Sequence, residues 1–270
     1  AEEQLFISLE KIYNAVSAGE RSESEIPMIF IRVRNPVQIE RIYRKICGFN
    51  LLTGFIFPKF TISNAVEYIN AVGYINRNIM KPVYFMPILE TSDILDINTR
   101  AETLKSLKKI LDSVKELVLN VRIGGNDFCN IYGFRRNVNQ TIYDIAVIRN
   151  VIADIVNVFG ADYVISAPVW EYFGNDRNDD WRKGLINELE LDRLNGLIGK
   201  TAVHPTQVPI INNSLCVDKN DYFDAVKILN WKDKVSAVSK STGGDRMNEQ
   251  KVHEKWAEKI IALSCIYGVK

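Results

Sequence analysis

The chain has 270 residues, 47% hydrophobic and 25% charged, and its 34 Lys and Arg against 33 Asp and Glu leave a net charge of +1. Such a chain makes one or two globular domains and buries a core without disulfide or metal staples. The charge balance gives no support for a nucleic-acid or membrane-surface protein, and a complement of two His excludes a multi-His metal centre.

No apolar run approaches the roughly 18 residues of a membrane span. The start, AEEQLF, has neither the basic beginning nor the apolar core of a signal peptide. Cys47, Cys129, Cys216 and Cys265 form no CxxC pair, so they read as reduced thiols of a cytoplasmic protein.

In chain order, residues 1–18 place Leu5, Leu9, Ile12 and Val16 on one helical face, and Gly19 is a fitting stop. The run 27–33 (PMIFIRV) is short, apolar and β-rich, as a strand buried on both faces should be. A helix over 36–48 and a strand over 51–58 follow. The alternation then repeats: helix 61–72, strand 82–89, helix 97–115, strand 117–123, helix 140–159, strand 162–168, helix 181–198, strand 200–205. Two helices, 219–230 and 247–266, end the chain. The Ser- and Gly-rich stretch between them, SAVSKSTGGDRMN, reads as a linker. The domain reading is a barrel over 1–232, then the linker and a helical extension over 233–270.

Strands alternating with helices imply right-handed crossovers and a parallel sheet. An open doubly wound sheet and a closed (β/α)8 TIM barrel both satisfy that. No GxGxxG follows an early strand, so the dinucleotide-binding open sheet lacks its fingerprint. Arg32, Lys59, Glu90, Asp127 and His204 all fall at or just past the C-terminal ends of predicted strands. In a barrel those ends converge on one mouth. The chain shows six strands and starts in a helix, which predicts a barrel whose first two strands are absent from this sequence.

Glu90 ends an apolar strand and Asp127 follows a glycine pair (RIGGND). Two carboxylates at neighbouring strand ends suit a hard, oxygen-loving cation such as Mg²⁺; helix capping is the equally weighted alternative. Gly124 and Gly125 either let an anion approach backbone N–H groups or form a turn needing positive φ. Arg32 and Arg34 share one strand face, pointing either into the mouth, where a guanidinium would grip a carboxylate, or outward. Lys59 reads as an anion-binding ammonium or, more readily, as a solvated loop lysine. His204 is either a general acid–base or a structural hydrogen-bonder ahead of a proline; His253 reads as surface. Arg135, Arg136, Trp170 and Glu171 decorate two loops, as a lid or specificity pocket or as loop packing. GxSxG, HExxH, EF-hand and P-loop patterns are absent from the sequence.

FIRVRN, FPK, PILET, GGND and AVHPTQVPIIN, in this order, resemble the HpcH/HpaI aldolase and citrate lyase beta-subunit family over residues 25–215. GGNDFCNIYGFRR, TIYDIAVIRNVI, SAPVWEYF and RMNEQKVHEKWA are similar to a branch of C–C bond lyase-like proteins associated with tellurium-resistance gene clusters. The resemblance implies a Mg²⁺-dependent carbon–carbon lyase or aldolase acting on a small 2-oxo or 2-hydroxy carboxylic acid, with a CoA thioester among the substrate forms, through a metal-stabilised enolate. It implies Glu90 and Asp127 as metal ligands, and Arg32, with Arg34 second, on the substrate carboxylate or 2-oxo group. Gly124, Gly125 and Asn126 would cradle the carboxylate, Pro58-Lys59 matches the PK motif, and His204, Pro205 and Gln207 match HPxQ. Two family features have no counterpart in the chain: an acidic LED motif on the second strand, and the CoA-binding features of the lyases.

Two rivals stand beside this reading. One is a barrel that binds a 2-oxo acid without turning it over; the other is a scaffold for partner enzymes. The last helix places Val252, Trp256, Ile260 and Ile261 on an apolar face, as a homo-oligomer contact or as packing on its own domain.

Overall fold

The computed structural model describes residues 2–77, 79–174, 179–231 and 238–270. The chain forms two compact units, residues 1–170 with 191–201, and residues 171–190 with 202–270.

The first unit is a β/α alternation. Helix α1 (Glu2–Ser17) opens with two acids at its positive end. Strand β1 (Ile29–Arg32) leads to α2 (Val37–Ile46), which buries Ile39, Ile42 and Ile46 at helical spacing. Strand β2 (Leu52–Phe57) is followed by α3 (Ile62–Asn76), begun by a Thr61–Asn64 capping box. Then come β3 (Tyr84–Leu89), α4 (Arg100–Asp112), β4 (Val121–Ile123), α5 (Gly125–Ile131), α6 (Ala146–Phe159) and β5 (Ile165–Ser166).

The five strands pair in parallel in the order β1-β2-β3-β4-β5. Alternation sorts their side chains. Ile31, Phe55, Phe57, Phe85, Leu89, Val121, Ile123 and Ile165 join one core with Ile39, Tyr68, Leu104 and Ile152 of the helices. Phe57 stacks on Tyr68 and Phe85 at centroid distances of 4.4 and 4.8 Å, and each such fully buried ring contributes about 1.5–3 kcal/mol. The other strand face carries Arg32, Ile56, Met86, Ile88 and Arg122, with Glu90 and Gly124 continuing the same alternation past the strand ends. Among the described residues no pairing returns β5 to β1.

Several boundaries differ from the sequence reading. The strand expected at 200–205 is a single bridge from Lys200 to Ala167. Lys200 is instead held by a buried ion pair to Asp192, 2.7 Å away, whose other oxygen accepts from the Tyr143 hydroxyl. Val203 gives its N–H to the Gln207 side chain, and Pro205 has none to give. The short helix α5 starts directly after the strand, where the sequence reading had only a motif. The predicted helix 140–159 begins with a separate capped turn, Ile142–Asp144.

In the second unit, α7 (Asp180–Leu194) contributes its residues up to Glu190. Helices α8 (Val208–Ser214) and α9 (Lys219–Leu229) follow. The expected linker is in part a hairpin: β6 (Val238–Lys240) pairs antiparallel with β7 (Met247–Glu249). Residues 232–237, where that linker was expected to begin, lie outside the described residues. The last helix, α10 (Gln250–Tyr267), sets Trp256, Ala257, Ile260 and Ile261 against Ala225 and Ile228 of α9. Of the expected apolar face, Trp256, Ile260 and Ile261 therefore pack within their own unit, whereas Val252 is exposed. No helix among the described residues is long and apolar enough to cross a membrane.

Candidate metal and substrate site

Glu90 follows β3 directly and is 5% exposed. Its Oε1 accepts a 2.8 Å hydrogen bond from the Lys59 backbone N–H, and Arg32 Nη2 stands 3.7 Å from the same oxygen. Asp127 comes from the first turn of α5, and its carboxyl is close enough to Glu90 to act on its charge. Two acids 37 positions apart in the chain thus meet.

Burial pushes the Glu90 carboxyl above the usual carboxylate range; the Lys59 N–H pulls it back, the Asp127 charge pushes it up, and Arg32 opposes. Burial is the main cause of the net rise, and the neighbouring Asp127 adds to it. That makes the pair a fit for a divalent cation. Its donors are all oxygen, and no group of three or more His, Cys, Asp or Glu gathers anywhere among the described residues. Water and substrate oxygens would complete the shell, as Mg²⁺ prefers.

The glycine pair has a steric explanation. Neither glycine has a positive φ, which removes the turn reading. A Cβ on Gly124 would stand 2.3 Å from Glu90 Cβ and 2.5 Å from Oε2, and one on Gly125 would stand 2.9 Å from Pro168 Cβ. Gly124 is bare so that Glu90 can lie across it. Its N–H is spent on the Leu89 carbonyl at 2.9 Å, so any backbone donors for a carboxylate come from Gly125 and Asn126, in the first turn of α5.

Asn126 is steadied from behind: its Oδ1 accepts from Arg136 Nη1 at 3.4 Å. Arg136, 2% exposed, also donates to the Val169 carbonyl and lies over the Trp170 ring at 5.3 Å. Of the two readings of this loop, the packing one describes Arg136 and Trp170. Arg135 is exposed, and Glu171 belongs to the second unit.

Arg32 keeps its side chain 56% exposed beside Glu90. Arg34 is exposed, and with Arg32, Glu2 and Gln38 it lines a cleft of about 430 Å³ against α1 and α2. Lys59 is tied in through its backbone, with φ +49°; its N–H serves Glu90 and its carbonyl accepts from Asn64. In the second unit, the His204 ring stacks on Phe173 at 4.6 Å and its Nδ1 accepts from the Thr206 N–H at 3.3 Å. Gln207 donates to the Tyr172 carbonyl. The HPxQ segment is thereby a staple of that unit. His253 accepts from the Glu249 N–H at the start of α10.

One contributor to the site escaped the sequence reading: the Lys59 N–H, which carries no side-chain signal.

The model of the family described as C–C bond lyase of the TIM-barrel fold matches residues 1–269. The chain belongs to that family. Its fold is similar to a citrate lyase from Burkholderia xenovorans LB400, with a TM-score of 0.65 at 15% identity over 90% of this chain and 73% of that one. It is also similar to CitE from Mycobacterium tuberculosis, crystallised with magnesium, acetoacetate and coenzyme A (TM-score 0.56, 17% identity, 94% of this chain and 83% of that one). A Haloferax volcanii malate synthase in a pyruvate and acetyl-CoA ternary complex gives 0.52 at 12% identity, over 94% and 76%. No curated protein sequence matches significantly. The family and these likenesses correspond to the resemblance read from the motifs.

Proposed function

We propose that the protein is a Mg²⁺-dependent carbon–carbon lyase acting on a small 2-oxo or 2-hydroxy carboxylic acid. The observation that carries the proposal is the approach of the half-buried Asp127 to the buried Glu90 carboxyl in the first unit, with Arg32 3.7 Å from Glu90 Oε1. Family membership supports the reaction class. The acetoacetate, pyruvate and coenzyme A found in the structurally similar proteins support the substrate class and a CoA thioester among its forms.

Glu90 and Asp127 would hold the cation. Mg²⁺, when bound, supplies Lewis-acid stabilisation of the negative charge that develops on substrate oxygen as the carbon–carbon bond breaks. Arg32 adds a second positive charge at that oxygen or grips the carboxylate. The N–H groups of Gly125 and Asn126 would be the donors for the remaining carboxylate oxygen, and Arg136 holds the Asn126 side chain. No Schiff base is required, so Lys59 serves by its backbone N–H and by the charge it adds near the rim.

Calorimetric titration of Mg²⁺ tests the proposal. Wild type should bind it, and Glu90→Ala and Asp127→Ala should each lose on the order of 100-fold or more in affinity while still folding. Unchanged affinity in the variants, or a wild type indifferent to Mg²⁺, overturns it. Cleavage of oxaloacetate- or citramalate-type acids should fall with the metal affinity.

A further inference from the structure

Lys59 keeps a left-handed backbone, φ +49°, although it carries a Cβ. Such a conformation persists only where the surroundings over-determine it. Packing sets where the turn runs: the Phe57 and Phe60 rings lie 4.4 and 6.3 Å from the Tyr68 ring. Hydrogen bonds set its tilt. The peptide joining Lys59 to Phe60 is tied at both ends. Its N–H donates to the Ile88 carbonyl at 3.1 Å, and its carbonyl accepts from Asn64 Nδ2 at 2.9 Å. With that plane held, the left-handed φ turns the preceding peptide so that the Lys59 N–H meets Glu90 Oε1 at 2.8 Å.

Asn64 lies in the first turn of α3 and serves two partners. Its Oδ1 accepts from the Thr61 N–H at 2.9 Å while its Nδ2 donates to Lys59. The partners are of opposite kind, one a donor and one an acceptor, so they fix which end of the amide faces which. The helix start alone does not ask for this. A capping box is completed as well by a glutamate, which only accepts. The donor end of Asn64 is explained by Lys59, and through Lys59 by Glu90.

We infer that Asn64 is a positioning residue: its amide holds the Lys59 peptide so that the Lys59 N–H fixes the Glu90 carboxylate for the cation. The inference rests on the proposed function for the role of Glu90, whereas the clamp on Lys59 is testable without metal.

Amide hydrogen exchange of the metal-free protein is followed by NMR, and Mg²⁺ affinity by calorimetry. Asn64→Asp keeps the size and the acceptor for Thr61 but sets a second acceptor against the Lys59 carbonyl. Its thermal midpoint should equal or exceed that of wild type, because an acid suits the first turn of a helix, and the Thr61 amide should stay protected. The Lys59 amide should exchange at least about 10-fold faster, and Mg²⁺ should bind about 10-fold more weakly. Asn64→Gln, which keeps both ends of the amide, should recover part of each. Ser63→Asp adds the same charge at the exposed neighbouring position and leaves the amide in place. It should keep Lys59 exchange and Mg²⁺ affinity within about 2-fold of wild type. Unchanged Lys59 exchange in Asn64→Asp overturns the inference and leaves Asn64 a helix cap. So does faster exchange at Lys59 and Thr61 together with a lower midpoint, or an equal loss of affinity in Ser63→Asp. A wild type that binds no Mg²⁺ counts against the proposed function instead, and the metal-free exchange rates decide the clamp whichever way that result falls.

Discussion

Two buried carboxylates, one in each unit, face arginines and behave oppositely. Asp224 on α9 is fully buried in the second unit. Its Oδ1 accepts from the Thr242 N–H at 2.6 Å and hydroxyl at 2.7 Å, and its Oδ2 accepts from Arg246 at 3.0 Å. Burial alone would raise its pKa, yet the Thr242 and Arg246 hydrogen bonds outweigh burial and hold it below the usual range. Glu90 is comparably buried, has one backbone donor and a looser arginine, and shares its space with a second acid, so its pKa is raised. A satisfied buried charge is a latch, here pinning the β6–β7 hairpin to α9. An under-satisfied one marks a candidate functional site.

The largest expected effect breaks the comparison on its ligand side. Glu90→Gln should cost on the order of 100-fold in Mg²⁺ affinity, as the alanine variants do, yet leave the thermal midpoint of the metal-free protein unchanged or higher. The amide still accepts from Lys59 and no longer opposes Asp127. Asp224→Asn should do the reverse: Mg²⁺ binding untouched, stability lower by about 2 kcal/mol, because Arg246 loses its partner. Matching losses of stability in both variants would erase the distinction.

That asymmetry also explains what the sequence made legible. The positions of Glu90, Asp127 and Arg32 at or just past strand ends could be read because a β/α alternation assigns residues to strand ends. The Asp224 latch could not, since it exists only once Ser241–Arg246 folds back as a hairpin loop, and Ser/Gly composition reads as linker. The role of Gly124 was also hidden, because the usual reason for glycine is a positive φ and here it is the Glu90 side chain lying across it. The strand expected at 200–205 rests on the strand–helix alternation, which does not register that Gln207 takes the Val203 N–H.

Gly124→Ala sharpens the comparison at the next scale. The new methyl would overlap Glu90 Cβ at 2.3 Å, a backbone-anchored atom on each side, so one strand end must shift. Overpacking of this kind costs about 1–3 kcal/mol, and displacing Glu90 from Asp127 should weaken Mg²⁺ binding by about 10-fold or more. Gly125→Ala, against the ring of Pro168, should show the stability loss with a smaller change in metal affinity. Denaturant melts and calorimetry on the two variants check this.

Acid titration probes the latch alone. A depressed aspartate contributes stability that is present above its unfolded pKa, near 3.8, and is lost as pH falls through the lower native value. Stability of the second unit should therefore drop below about pH 4, and hydrogen exchange in 238–249 should rise there. Asp224→Asn should flatten that part of the profile. A wild-type profile unaffected by the substitution would mean that the latch carries no pH-dependent stability.

The smallest expected effect concerns Lys59, where a side-chain ammonium and a backbone donor make different predictions. The N–H that reaches Glu90 is present whatever the side chain, and the side chain is exposed. Lys59→Met should therefore change Mg²⁺ affinity by less than about 3-fold, the scale of a screened surface charge. Lys59→Gly relieves a left-handed conformation, φ +49°, that costs an L-residue roughly 1 kcal/mol. Part of that gain is returned through the freer unfolded chain, so its thermal midpoint should rise slightly. Lys59→Pro can neither adopt that φ nor donate, and should weaken Mg²⁺ binding as Gly124→Ala does. A Lys59→Met variant that lost 10-fold or more in affinity for the acid substrate would instead place the ammonium on the ligand. Glu90 would then be served by two cations, which would narrow its difference from Asp224.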